Sequence, residues 1–77
     1  MADNATAHQV VRAAVGAAGG VSKVAEHFGI SAASVSGWLD RGSVPAGRIK
    51  ALCDLGGNVV TPMQVLDALA REARAAA

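Results

Sequence analysis

The stretch that decides the fold is Val21-Ser22-Lys23-Val24-Ala25-Glu26-His27-Phe28-Gly29-Ile30-Ser31-Ala32-Ala33-Ser34-Val35-Ser36-Gly37-Trp38-Leu39-Asp40-Arg41. Val24, Ala25 and Phe28 fall on one face of a short helix over 21–28, with Lys23, Glu26 and His27 turned outward. Gly29 stops that helix, because a residue without a β-carbon takes the left-handed conformation at little cost. Ile30 anchors the turn and Ser31 can cap a helix over 32–41, along which Val35, Trp38 and Leu39 point inward. Ala25 is small where the two helices cross, so they can approach closely. Small, apolar and glycine positions are therefore in register for a helix-turn-helix over residues 21–41.

Upstream, Thr6 and Gln9 have capping-box spacing, and Val10, Val11, Ala14, Val15 and Ala18 recur at helical intervals over 7–18 until Gly19-Gly20 breaks the pattern. Downstream, Gly42 closes the motif, Pro45 stands near the start of a helix over 46–55, and Ile49, Leu52 and Cys53 form its apolar face. Val59-Val60 is ambiguous between a short extended segment and a loop. Thr61-Pro62-Met63-Gln64 then signals a fifth helix over 62–75, on which Leu66, Leu69, Ala70 and Ala73 are expected to face the body. The alanine-rich ends are expected to fray.

Composition agrees with a helical reading. The chain has 77 residues and is 52% hydrophobic, yet it holds one Phe, one Trp and no Tyr. Small side chains suit close helix packing better than a sheet, and this length allows one compact domain, 1–77, with a modest core. The expected fold class is an all-α, compact five-helix domain. A net charge of +1 argues against a nucleic-acid binder that relies on bulk charge. Within 21–50, however, Lys23, Arg41, Arg48 and Lys50 face only Glu26 and Asp40.

Chemistry-bearing residues are sparse. His8, His27 and Cys53 lack zinc-finger spacing and read as unconnected, so neither a metal nor a cofactor is expected. Ser31, Ser34 and Ser36 have no base or oxyanion donors supplied by the sequence, which argues against an enzyme. A single cysteine cannot form an internal disulfide, and neither a membrane span nor a leader is read at the Met-Ala-Asp-Asn start. A cytoplasmic location with no membrane partner is the expectation.

From residue 20 to about 55 the chain resembles the Cro-type phage repressors and the YdaS-like antitoxin regulators. The likeness lies in Gly-Val-Ser-Lys-Val-Ala-Glu-His-Phe-Gly-Ile-Ser, then Val-Ser-Gly-Trp-Leu, then Arg-Gly-Ser-Val-Pro, and it covers somewhat under half of the chain. It implies a lambda-repressor-like fold that places its recognition helix in the major groove of double-stranded DNA, often as a homodimer on a palindromic operator. The matching positions put Ser31, Ala32, Ala33, Ser36 and Gly37 toward the groove, and Ser22 and Lys23 against phosphates. Arg41 would reach a base edge or a phosphate, with Ser43, Arg48 and Lys50 as further backbone contacts. Many DNA readers carry Gln, Asn or Arg on this face because those side chains make paired hydrogen bonds to bases. Here the face is Ser, Ala and Gly, so direct readout should be thin, and Arg41, bridging water or DNA shape should carry more of the specificity.

The resulting expectation is a sequence-specific transcriptional regulator, with the fifth helix as candidate dimer interface. Two alternatives stand beside it: a DNA-binding antitoxin with a toxin partner, and a protein-protein adaptor that has lost DNA binding.

Overall fold

The computed structural model describes residues 6–76, and side chains over 6–74. The first residues, read above for a leader, and the last alanine side chains, where fraying is expected, lie outside that range. Helix α1 (Ala7–Ala17) starts at a reciprocal cap: the Thr6 hydroxyl accepts from the Gln9 amide at 3.2 Å, and the Gln9 side-chain oxygen accepts from the Thr6 N–H at 2.9 Å. Two amides that the helix cannot pair internally are thereby satisfied. Helix α2 (Val21–Phe28) ends on Gly29 at φ 68°, and the Ile30 N–H donates back to the Ala25 carbonyl at 3.0 Å. Ser31 then accepts from the Ser34 amide at 3.2 Å and opens α3 (Ala32–Arg41).

Pro45 precedes α4 (Ala46–Leu55). The start of α5 (Pro62–Ala76) repeats the reciprocal cap, with Gln64 accepting from the Thr61 N–H at 2.8 Å and Thr61 accepting from the Gln64 N–H at 3.3 Å. The chain is all-α, and its five helices match the expected bounds to within one residue. Val59-Val60 is a bend that leaves Val59 exposed and tucks Val60 in, and no strand occurs among the described residues.

Helix α1 is the post of the structure and touches all four other helices, while α2 packs chiefly on α3 and α4 on α5. Every helix sends at least one almost fully enclosed side chain to the common core: Val11, Val24, Val35, Leu52 with Cys53, and Val65. Trp38 joins them, and Phe28, Ile30 and Leu39 close the margin from the α2–α3 side.

One helix face differs from the expectation. Helix α5 turns Val65, Ala68 and Leu69 inward, whereas Leu66, Ala70 and Ala73 are exposed. Ala68 is buried on α5, as are Ala7 and Ala14 on the α1 it packs against. Small side chains allow two helix backbones to approach closely, which suits the side of α5 that carries Ala68 to packing on α1.

Gly42 shows how tightly the α1 and α3 ends meet. Its φ is 66°, and a β-carbon there would sit 2.7 Å from the His8 Nδ1 atom. Gly42→Ala should cost about 1–3 kcal/mol through backbone strain and overlap together. Thermal unfolding checks this, and the double change H8A/G42A should cost less than the sum of its parts because the overlap then disappears.

Candidate nucleic-acid interface

Helix α3 is gripped from behind and bare in front. Val35 and Trp38 are buried and Leu39 is half-buried. At 3.6 residues per turn the opposite side carries Ala33, Ser36, Gly37 and Asp40, with Ala32 and Arg41 at its edges. All of these are exposed except Gly37, which is half-buried. The cause of that half-burial is Arg41, whose guanidinium nitrogen lies 3.0 Å from where a β-carbon on Gly37 would stand. The glycine therefore leaves a furrow in which the arginine lies along its own helix.

Ser31 has a second task besides facing out. Its hydroxyl caps α3 and lies 3.0 Å from the Ser34 hydroxyl, so part of its hydrogen-bonding capacity is already used. Ser43 is half-buried, and its N–H donates to the Trp38 carbonyl at 3.1 Å. Ser22 is exposed in the first turn of α2.

The basic residues are spread rather than pooled. Lys23 lines an open groove with Ala17, Ala18, Gly19 and Leu55, and Glu26 and His27 share that groove. Arg48 is half-buried, with its guanidinium carbon 5.0 Å from the centre of the Phe28 ring. Phe28 in turn meets Trp38 edge to face at 6.0 Å, so a cation, a phenyl and an indole link α4, α2 and α3. Lys50 pairs with Asp54 at 3.0 Å, one helical turn away, with its side chain 81% exposed. The structure thus gathers Ala32, Ala33, Ser36, Gly37 and Arg41 on one surface with Ser31 at its start, and leaves Lys23, Arg48 and Lys50 on α2 and α4.

Two residues outside the expected contact set bear on this surface. Asp40 stands four residues beyond Ser36 and seven beyond Ala33, which places an exposed carboxylate on the same side of α3. That spacing is readable in the sequence. His8 is the other: its Nε2 donates to the Asp40 carbonyl at 3.1 Å while its ring rests on Gly42, which ties the end of α3 to the start of α1. No local pattern announces a contact across 32 residues.

Among the described residues no three His, Cys, Asp or Glu side chains gather where they could hold a metal ion, and no helix is long and apolar enough to cross a membrane. Comparison with known proteins leaves this geometry to stand alone: no protein-family model, curated protein or solved structure matches the chain.

Cys53 faces the core, where burial pushes its thiol pKa up and the Asp54 charge adds to the shift. The reactive species is the thiolate, so thiol reagents should modify Cys53 slowly in native buffer and quickly in denaturant. A raised folded-state pKa means stability is full below the ordinary thiol value and declines above it. The denaturation midpoint should therefore fall as pH climbs past about 8.5, and less so in Cys53→Ala.

Proposed function

We propose that this chain binds double-stranded DNA as a transcriptional regulator of the Cro type, with α2 and α3 forming a helix-turn-helix whose second helix enters the major groove. One observation carries the reading: the outward side of α3 is solvent-exposed, small and polar, while the opposite side locks the helix into the core. A helix about 10–12 Å across fits a major groove about 12 Å wide, and small side chains let its backbone come close to base edges. Serine hydroxyls serve several bases, and the alanine methyls can pack on thymine methyls.

Charge has a divided part in this arrangement. Arg41 sits at the edge of the reading surface, and Lys50 can trade its exposed partner Asp54 for a phosphate at little cost. Asp40 opposes phosphates but can accept a hydrogen bond from a cytosine amino group, so it favours a particular sequence by penalising others.

Fluorescence anisotropy on random and selected duplexes tests the proposal. Affinity should fall steeply with salt, with a logarithmic slope of about −3 to −4 per protomer if Lys23, Arg41, Arg48 and Lys50 all meet phosphates. A flat response would reject the reading. Lys23→Ala should weaken all sequences alike, whereas Ser36→Ala and Arg41→Ala should alter which sequence is preferred. Asp40→Asn should raise affinity for random duplex about threefold or more while narrowing the gap between selected and random DNA.

A further inference from the structure

Among the described residues three glycines stand inside helices, at positions 16, 37 and 47. None of them has a positive φ, so the backbone requires none of them, and each weakens its helix relative to alanine. A β-carbon at Gly16 or Gly47 would meet nothing within 4 Å. At Gly37 it would stand 3.0, 3.7 and 3.8 Å from the Nη1, Cζ and Nη2 atoms of Arg41. The space that Gly37 leaves is therefore filled by the head group of one side chain. Helical side chains lean toward the N-terminus, and Arg41 follows that lean for one turn, which carries its charge about 5.4 Å back along α3. Among the described residues no hydrogen bond or ion pair engages that head group, the neighbouring Asp40 included.

We infer, on the DNA-binding reading, that Arg41 reads a guanine in the major groove and that Gly37 is the positioning residue that aims it there. An arginine extended outward from the last turn of α3 would meet the phosphates flanking the groove. Folded back over Gly37, it stands by helical spacing beside Ala33 and Ser36, in the middle of the exposed side. There its planar fork can donate two parallel hydrogen bonds, to N7 and O6 of one guanine. Alanine at 37 would push the guanidinium out of the furrow, and easily, because Arg41 is exposed and its head group is the far end of a flexible side chain.

Two measurements test this, the first without DNA. In the free protein the nitrogen-relaxation order parameter of the Arg41 Nε–H should be higher in the native chain than in Gly37→Ala, and equal values overturn the positioning role. In the second, the guanines of a duplex selected by the native chain are replaced one at a time by 7-deazaguanine, which lacks the N7 acceptor. One such position per protomer should weaken the native chain about fivefold or more and leave Arg41→Ala indifferent. Gly37→Ala should lose most of that sensitivity, yet change nothing further in an Arg41→Ala background. A cost of Gly37→Ala that persists in that background means that the β-carbon itself meets the DNA, and the positioning role falls.

Salt separates base from phosphate. Arg41→Ala should leave the logarithmic salt slope unchanged, whereas a slope shallower by about 0.9 makes Arg41 a phosphate contact and overturns the guanine assignment. Gly37→Ala should melt about 2–8 °C above the native chain, so its altered preference is not a loss of fold. Gly16→Ala, with a similar gain, should keep the guanine preference. Absence of salt-dependent binding sinks the DNA-binding reading itself, whereas salt-dependent binding with no guanine position shared by Gly37 and Arg41 sinks this assignment alone.

Discussion

The corner between α2 and α3 rests on the packing of one indole. Trp38 is the largest side chain in a core otherwise built mostly of valines and alanines, and it meets the Phe28 ring across that corner. Small side chains fill space well only when their helices lie close, so the few large rings fix the separations that the rest must accept. Gly29 allows the chain to turn back sharply enough for the two rings to meet, and Arg48 covers the outer face of the phenyl. Remove the indole and α3 loses its back support together with the orientation of its front.

Helix α3 is thus a rigid element with an uncommitted surface, and its ends are as well held as its middle. Ser31 closes the start, while Gly42 and the His8 ring, whose Nε2 donates to the Asp40 carbonyl, hold the finish. A ligand that meets this surface finds it already in place, so little ordering entropy is lost on contact. Arg41, laid in the furrow over Gly37, is the one long side chain on the surface whose position is partly set in advance.

Helix boundaries were legible in the sequence because their causes are local. Thr6 with Gln9, Ser31 with Ser34, and Thr61 with Gln64 are caps that need only three residues of context, and the glycine at 29 or 42 ends a helix by its own conformational freedom. The rotation of α5 was not legible, since Val65 and Leu69 on one side compete with Met63 and Leu66 on the other, and apolar periodicity alone admits both. Packing against α1, some fifty residues earlier in the chain, settles the choice. His8 is hidden for the same reason, because a polar residue near a helix start gives no hint of the distant glycine it covers. The placement of Asp40 beside Ser36 follows from helical spacing alone and is legible in the sequence.

The central place of α1 also imposes an order on synthesis. Its contact with α5 joins segments more than forty residues apart, so α1 emerges from the ribosome well before the helix that covers one of its sides. Until Val65 and Ala68 dock, the side of α1 that α5 covers has no partner within the chain, so closure of the core waits for the fifth helix.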